Sequence, residues 1–389
     1  MMKFVFDGAS VFVNDSHLKK YDTFSHAGIF GDCVIDCSKY SIFPGFVDVH
    51  VHFREPGFSY KETIATGSSA AARSGYFAVC TMPNLRPVPD SLENLNAQLD
   101  IIKRDAKINV LPFGSITKGQ KGEGLSDLEA LAPFVCGFSD DGVGVNDSGL
   151  MKEAMQRAKI LGKVISAHCE DNTQIKDSPE AEWKQIERDI KLADETKVKY
   201  HVCHISTKES VSLIRDAKAS GVDITCETAP HYLTFSEEDV RDDGRYRMNP
   251  PIRAFADKTA LLEGILDGTI DMIATDHAPH SAEEKSRGLE KSAFGIVGLE
   301  TAFPLMYTKL VKTGIITLEK LVELLVWNPR KRFGIPMGND FSVWDLGAEF
   351  TVDPNEFLSK GRATPLTDMK LFGRNLLTVC DGKVVYQKD

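Results

Sequence analysis

The chain has 389 residues, 42% of them hydrophobic and 26% charged, and 56 acidic against 46 basic residues give a formal net charge of -10. This composition is typical of a globular protein with a large core, and the absence of any Lys or Arg cluster argues against nucleic-acid binding. No apolar run approaches the roughly 20 residues that cross a bilayer, and the first residues do not resemble a signal peptide. We therefore expect a cytoplasmic protein that does not enter a membrane.

The first segment, residues 2–36, contains short alternating strands and turn signals such as Asp7-Gly8. Residues 343–388 have the same character, with a turn signal at Asp381-Gly382. We expect the two chain ends, residues 1–43 and 341–389, to form one small β-sandwich module that packs on the rest of the chain.

Between these ends, short strand-like runs alternate with segments of helical pattern, which is typical of parallel strands joined by crossover helices. The predicted strands are residues 43–50, 76–82, 108–114, 134–139, 163–168, 200–204, 223–227 and 271–276. The clearest helical patterns are at residues 60–74, 91–104, 149–161, 208–220 and 257–266. Eight such units predict an α/β fold, a (β/α)8 TIM-like barrel over residues 44–340.

Eight cysteines are present, and five of them lie in or beside the strand-like runs without forming a Cys-x-x-Cys pair. Cytosolic cysteines of this kind are usually reduced and buried. We expect free thiols at Cys80, Cys136, Cys169, Cys203 and Cys226.

Several predicted strands end on His or Asp, and the carboxyl ends of barrel strands meet at one mouth. His50 and His52 are two residues apart, so their side chains point the same way from a strand. A lone His-x-His pair would more often be structural, but eight of the ten histidines fall in five motifs, leaving only His17 and His26 outside. Imidazole and carboxylate ligands suit zinc or a similar divalent metal. The predicted ligands, enough for two ions that share one of them, are His50, His52, Asp141, His168, His204 and Asp276.

Longer motifs around these residues resemble those of a known family. The segment FPGFVDVHVHFREPG at residues 43–57 resembles the opening motif of dihydroorotases, in which an Arg after the histidine pair is selective within the amidohydrolase superfamily. Further matches are TMPN (81–84), DDGVGV (140–145), AHCED (167–171), HVCHIST (201–207), MNPPIR (248–253) and ATDHAPH (274–280). The resemblance covers nearly the whole chain, although the tract between His168 and His201 is shorter than is usual in the family.

The resemblance implies a metal-dependent hydrolase that reversibly cyclises N-carbamoyl-L-aspartate to L-dihydroorotate in pyrimidine biosynthesis, with one or two zinc ions per subunit. It places His50, His52 and Asp276 on one metal and His168 and His204 on the other, with Asp276 also carrying the catalytic proton. Many relatives bridge the metals with a carboxylated lysine, whereas this chain has Asp140-Asp141-Gly142 there, like the long bacterial type of dihydroorotase. The spacing to His168 favours Asp141 as the bridge and leaves Asp140 as the alternative.

Substrate recognition needs a cation because dihydroorotate carries a carboxylate, and Arg54 offers a bidentate fork for it. The resemblance adds Asn84 and His280 to this carboxylate site and places Asn249 at the amide edge of the ring. We expect the neighbouring histidines to lie outside the ligand set, namely His201, His231 and His277. Residues 283–291 are either a mobile lid over the site or a solvated loop.

Two other functions stay open at this point. A hydantoinase or allantoinase would share the chemistry but accept other rings, and a non-catalytic homologue would act as a structural partner of aspartate transcarbamoylase. The retention of every expected ligand argues against the second reading. The family resemblance also implies a small-molecule substrate and a homodimer, and it leaves an association with aspartate transcarbamoylase open.

Overall fold

The computed structural model describes residues 39–388 in full, and within residues 2–36 it describes the backbone of five strands. The strands are β1 (Met2–Asp7), β2 (Ser10–Asn14), β3 (His17–Lys20), β4 (Thr23–Gly28), β5 (Cys33–Asp36), β6 (Ser41–Pro44), β7 (Phe46–Val51), β8 (Tyr76–Thr81), β9 (Asn109–Pro112), β10 (Gly137–Phe138), β11 (Val164–Ala167), β12 (Lys199–Val202), β13 (Ile224–Thr228), β14 (Met272–Ile273), β15 (Phe341–Thr351), β16 (Lys370–Cys380) and β17 (Lys383–Gln387).

The helices alternate with the central strands. They are α1 (Ile64–Arg73), α2 (Leu92–Asp105), α3 (Leu128–Leu131), α4 (Ser148–Ile160), α5 (Pro179–Thr196), α6 (Lys208–Ala219), α7 (Pro230–Thr234), α8 (Phe255–Asp267), α9 (Ala282–Lys285), α10 (Gly288–Lys291), α11 (Ala302–Met306), α12 (Leu318–Val322) and α13 (Asn328–Phe333). None of these described helices has the length and apolar character needed to cross a bilayer.

Strands β7 to β14 form the predicted barrel. Two parallel ladders, β7-β8-β9 and β10-β11-β12-β13-β14, contain all eight strands in chain order. A parallel bridge from Gly114 to Phe138 joins the first ladder to the second, and another from Val51 to His277 closes the ring. The (β/α)8 fold is therefore confirmed, and the carboxyl ends of all eight strands meet at one mouth.

The first predicted strand, residues 43–50, is wrong in one respect because it is divided at Gly45. The residues before Gly45 form β6, which pairs with β15. The residues after Gly45 form β7, which pairs with β8 in the barrel. A Cβ at Gly45 would come within 2.4 Å of the Cβ of Phe77, so only glycine allows this close approach. The chain thus passes from one sheet to another through a single residue.

Helix α5 has no counterpart among the predicted helices. Its buried face combines Ala181, Ile186 and Ala193 with the polar Glu182 and Gln185, so the apolar periodicity is weak. The buried Glu182 carboxylate accepts hydrogen bonds from the backbone N–H groups of residues 206 and 207, at 2.9 and 3.1 Å. This carboxylate therefore stabilises the amino end of α6, where backbone donors lack helical partners.

Both chain ends contribute to the second part of the molecule. A six-stranded sheet has the order β17-β16-β15-β6-β2-β3, and a separate three-stranded sheet has the order β4-β1-β5. The structure therefore contains antiparallel sheet from both ends, while the domain limits at residues 43/44 and 340/341 stay a prediction. The side chains of His17 and His26 lie outside the described residues.

A buried ion pair attaches the barrel to this sheet. Arg330 in α13 donates through Nη2 to Asp340 Oδ2 at 2.5 Å and to the carbonyl oxygen of Gly45 at 2.8 Å. Asp340 also accepts from the backbone N–H of Gly45 at 3.0 Å. The two side chains are only 4% and 0% exposed, so neither charge is solvated by bulk water and each depends on the other.

Replacement of Asp340 by Ala should lower the free energy of unfolding by roughly 3–5 kcal/mol, because it leaves the Arg330 charge buried without a partner. Urea unfolding measures the loss. The control is Glu187→Ala, which breaks the exposed pair with Lys191 and should cost less than about 1 kcal/mol. Equal losses in the two variants would contradict the attachment.

Candidate active site

An open cavity at the carboxyl ends of the barrel strands collects the residues singled out from the sequence. Nine of the ten predicted site residues line it, and the tenth, His50, is fully buried beneath them. Its lining consists of His52, Arg54, Asn84, Asp141, Gly142, His168, His204, Asn249, Asp276, Ala278, His280, Ala293, Phe294 and Gly295.

Asp141 lies at the centre of the predicted ligands. Its carboxylate oxygens are 3.3 Å from His50 Nε2 and 3.5 Å from His52 Nε2. The same carboxylate is 3.5 Å from His204 Nε2 and 3.7 Å from His168 Nδ1. Contact with all four imidazoles is the geometry that a shared ligand requires.

Asp276 and Asp140 occupy different positions relative to this centre. Asp276 Oδ1 is 3.0 Å from His52 Nε2 and 3.5 Å from His50 Nε2, so it joins the cluster. Asp140 instead accepts backbone hydrogen bonds from Ile116 at 2.8 Å and Thr117 at 3.1 Å. Its carboxylate therefore connects the loops after β9 and β10, and no His of the described residues lies within 4.0 Å of it, which favours Asp141 over Asp140 as the shared ligand.

The cluster offers ligand atoms for a divalent cation, and two of its buried atoms lack the polar partner that such a cation would supply. His50 Nε2 and Asp141 Oδ1 are buried and lack a hydrogen-bond partner among the described residues. Buried polar atoms without partners are rare in folded proteins. Ligand atoms of His50, Asp141 and His204 lie within 4.8 Å of one another, as do those of His50, His52 and Asp276. Nitrogen and carboxylate donors at this spacing fit zinc or a similar metal.

The charges of the cluster also favour a cation. Burial raises the pKa of the Asp141 carboxyl, but His50 and His204 outweigh it and hold that pKa well below its ordinary value. The pKa of Asp276 is likewise lowered, since the contact with His52 opposes the effect of burial. Both groups are therefore carboxylates at neutral pH, and positive charge between them is stabilised.

Two of the histidines are oriented by partners on other strands. Glu227 on β13 accepts from His50 Nδ1 at 2.7 Å and lies 3.0 Å from His201 Nε2. A carboxylate can only accept, so Nδ1 of His50 carries the hydrogen and Nε2 is free to bind a metal. Asn84 Oδ1 is 2.8 Å from His52 Nδ1 and orients that ring in the same way.

His277, next to Asp276, is fixed by contacts outside the cluster. Its Nδ1 accepts from the backbone N–H of Gly298 at 3.2 Å, so Nε2 carries the hydrogen and faces Glu62 Oε2 at 3.4 Å. Glu62 also accepts from Ser359 Oγ at 2.5 Å.

His231 is buried too, and burial lowers its pKa to about 4, so it is neutral.

Three of the site residues have a backbone conformation that L-residues rarely adopt. Arg54, His204 and Asp276 have positive φ angles of 57°, 33° and 47°. Such conformations cost of order 1–3 kcal/mol each and persist where the surrounding structure enforces them. Arg54, His204 and Asp276 lie just after the ends of β7, β12 and β14, where this backbone conformation directs their side chains toward the cavity.

The cation predicted to bind the substrate carboxylate is available for a ligand. Arg54 is half-buried and makes no ion pair within 4.0 Å with an acidic side chain of the described residues. Its Nε donates to the carbonyl oxygen of Pro279 at 3.3 Å, and Nη2 lies 3.3 Å from His280 Nε2. Lys61 Nζ lies 3.2 Å from His280 Nδ1, but its charge is paired with Glu284 at 2.8 Å, which leaves Arg54 as the cation available to an anion here.

Sequence reasoning missed Glu227 and assigned no role to Glu170 or Lys61. Glu227 could have been found from its setting, because a carboxylate inside the mostly buried strand β13 needs a buried partner. The contributions of Ala293, Phe294 and Gly295 to the cavity wall have no sequence signal. The described cysteines, which include the five expected thiols, are all free.

Known proteins with similar sequences identify the family. A family model described as Dihydro-orotase-like matches residues 40–182. A dihydroorotase of Fusobacterium nucleatum subsp. nucleatum is 48% identical to this chain, over 98% of the chain and 95% of that protein. A dihydroorotase of Bacillus thuringiensis (strain Al Hakam) is also 48% identical, over 92% of the chain and 89% of that protein. The chain belongs to the dihydroorotase family.

Solved structures similar to this dihydroorotase-family chain share its fold. An L-hydantoinase from Arthrobacter aurescens superposes with a TM-score of 0.89 at 24% identity, covering 100% of this chain and 97% of that one. A dihydropyrimidinase from Brevibacillus agri NCHU1002 superposes with a TM-score of 0.85 at 20% identity, covering 99% and 95%. At such identities the likeness shows the fold alone.

The segment considered as a lid or a solvated loop contains the two short helices α9 and α10. Lys285, only 7% exposed, donates through Nζ to the carbonyl oxygens of Arg247 at 3.0 Å and Ala293 at 2.7 Å. Burial, reinforced by the charge of Arg247, lowers the pKa of Lys285 to about 7. One buried amine therefore anchors the segment beside the cavity.

Opening of residues 282–293 should become more favourable as pH falls from about 9 to 7. The exposed amine regains its ordinary pKa near 10.4, so in this window the open segment binds more protons than the closed one. We expect the opening constant to rise by up to about tenfold per pH unit, measured by hydrogen exchange corrected for intrinsic rates. Lys285→Met should abolish this dependence and Lys291→Met, at an exposed position in the same segment, should keep it. Identical pH profiles in the Lys285→Met variant and the wild type would disprove the anchor.

Proposed function

We propose that this chain catalyses the reversible cyclisation of N-carbamoyl-L-aspartate to L-dihydroorotate and water, a step of pyrimidine biosynthesis. The observation that carries the proposal is the half-buried Arg54, which lacks an acidic partner among the described residues and lines the same cavity as the histidine and aspartate cluster. In a cyclic amide with a carboxylate substituent, the amide would face the cluster and the carboxylate would bind Arg54. Membership of the dihydroorotase family supports the same substrate.

The proposed metal ligands follow from the cluster. His50, His52 and Asp276 would hold one ion, His168 and His204 the other, with Asp141 shared between them. We propose zinc as the metal because the donors are imidazole nitrogens and carboxylate oxygens. Such an ion polarises an amide carbonyl and lowers the pKa of bound water to about 7.

The side chains supply binding and proton transfer. Arg54 binds the substrate carboxylate through its planar fork and so orients the ring. Asp276, ionised at neutral pH, accepts a proton from the attacking water as oxygen bonds to the ring carbonyl carbon. It donates that proton to the departing ring nitrogen when the carbon–nitrogen bond breaks. In the reverse direction Asp276 takes the proton from the ureido nitrogen as the ring closes.

Related cyclic amidohydrolases are the second candidate, because a cluster of the same ligands could act on cyclic amides of other ring structure. Many rings processed by such enzymes lack a carboxylate, and Arg54 would then have no anion to bind. A cytoplasmic location stays a prediction from the sequence, and a homodimer and an association with aspartate transcarbamoylase stay predictions of the family resemblance.

Removal of the metal with a chelator should abolish turnover of dihydroorotate, and added zinc should restore it. The reason is that the bound ion would polarise the amide carbonyl and activate the attacking water. Absorbance of the dihydroorotate ring follows the reaction, and elemental analysis gives the metal content. Full activity of metal-free protein, or no turnover of dihydroorotate by the zinc-loaded protein, would overturn the proposed function.

Replacement of Arg54 by Ala should lower kcat/KM for dihydroorotate by about 100-fold or more, through loss of two charge-assisted hydrogen bonds worth roughly 1.5–3 kcal/mol each. Arg54→Lys should have a kcat/KM between those of Arg54→Ala and the wild type, since lysine keeps the positive charge but cannot form two parallel hydrogen bonds. Dihydrouracil, the same ring without the carboxylate, serves as the reference substrate, and Arg104→Ala is a surface control at 68% exposure. An unchanged preference for dihydroorotate over dihydrouracil in Arg54→Ala would argue for the second candidate.

A further inference from the structure

We infer that Glu170 is a positioning residue that couples the metal centre to recognition of a substrate N–H group, by fixing His168 and Asn249 with one carboxylate oxygen. The inference rests on the proposed function, which assigns His168 to the metal and Asn249 to the substrate ring. Beyond that function, the contacts of Glu170 determine which nitrogen of His168 faces the cluster and which atom of the Asn249 amide faces the cavity.

A single oxygen of Glu170 contacts both residues. Oε2 is 3.2 Å from His168 Nε2 and 3.2 Å from Asn249 Nδ2. An ionised carboxylate has no hydrogen to donate, so both partners must be donors. Glu170 thereby fixes two side chains that come from different parts of the barrel mouth.

For His168, the contact fixes the tautomer. Nε2 carries the hydrogen, which leaves Nδ1 without one, and Nδ1 is the nitrogen that faces the cluster. It lies 2.9 Å from His204 Nε2 and 3.7 Å from Asp141 Oδ1. Outer partners of this kind orient metal-binding histidines and raise their basicity.

For Asn249, the contact fixes the amide orientation. Its NH2 group faces Glu170, because the reverse orientation would place an amide oxygen against a carboxylate oxygen. Oδ1 is therefore the atom that Asn249 presents to the cavity it lines. An oxygen acceptor at this position selects an N–H group of the ring and disfavours a carbonyl group.

The backbone around Glu170 is held on two sides. Its N–H donates to Gln185 Oε1 of helix α5 at 3.0 Å. A Cβ at Gly144 would lie 2.3 Å from the carbonyl oxygen of Glu170 and 2.5 Å from Gln185 Oε1, so the loop that follows Asp141 packs tightly here. The carboxylate thus sits on a rigid support, as a positioning group requires.

The first test measures zinc affinity, by competition with a chromophoric chelator, together with KM and kcat for dihydroorotate. Glu170→Ala should weaken zinc binding by about tenfold or more and should raise KM. Glu170→Gln, whose single amide oxygen can still accept from both partners, should restore KM to within about threefold of the wild type. Glu180→Ala, an exposed glutamate ten residues along the chain, is the matched control and should change neither quantity.

The second test is a charge exchange. Asn249→Asp alone sets two carboxylates against each other and should raise KM by about 30-fold or more. Addition of Glu170→Gln should rescue it, because the amide introduced by that substitution can donate to the new carboxylate while its oxygen accepts from His168. A role of Glu170 in folding alone would not produce this rescue.

The outcomes separate the two proposals. Failure of the zinc-loaded wild type to convert dihydroorotate counts against the proposed function, and the zinc affinity of Glu170→Ala is still informative in that case. Unchanged zinc affinity in a folded Glu170→Ala, or independent effects of Asn249→Asp and Glu170→Gln on KM, would overturn the inference while dihydroorotase activity stands. If circular dichroism shows that Glu170→Ala is unfolded, the inference is decided by the Glu170→Gln and charge-exchange variants alone.

Discussion

Closure of the barrel between its first and last strands is the constraint on which the site depends. The bridge between Val51 and His277 is continued by a hydrogen bond from the His52 N–H to the His277 carbonyl oxygen at 2.8 Å. Asp48 adds a buried contact, accepting from the Thr275 hydroxyl at 2.6 Å. These contacts bring His52 and Asp276, 224 positions apart in the chain, within 3.0 Å of each other. Without this closure the cluster would lose one of its two ionised aspartates.

Around the cluster, three of the four imidazoles have an outer partner from another part of the barrel. Glu227 orients His50, Asn84 orients His52 and Glu170 contacts His168. Because each of these partners occupies one ring nitrogen, the other nitrogen of each of the three rings points inward. The centre is therefore organised before any ligand arrives, which reduces the reorganisation that catalysis would otherwise require.

Much of this architecture could be predicted from the sequence, since strand ends in a parallel barrel converge and the histidines and aspartates lie at those ends. The predicted ligands fall into one cluster for that reason. What could not be predicted depends on contacts between distant segments. The choice between Asp140 and Asp141 required the positions of Ile116 and Thr117, whose N–H groups occupy Asp140. Helix α5 was missed because polar side chains make up much of its buried face.

The pairing of β6 with β15 has a consequence for how the chain is made. The residues that join these strands, Gly45 and Asp340, are separated by 295 positions. At a translation rate of about 5–20 residues per second, the partner of β6 leaves the ribosome roughly 15–60 s later. During that interval the nascent chain carries an unpaired strand edge, a site for pairing with other chains. Co-translational protection by a chaperone would matter most for this strand.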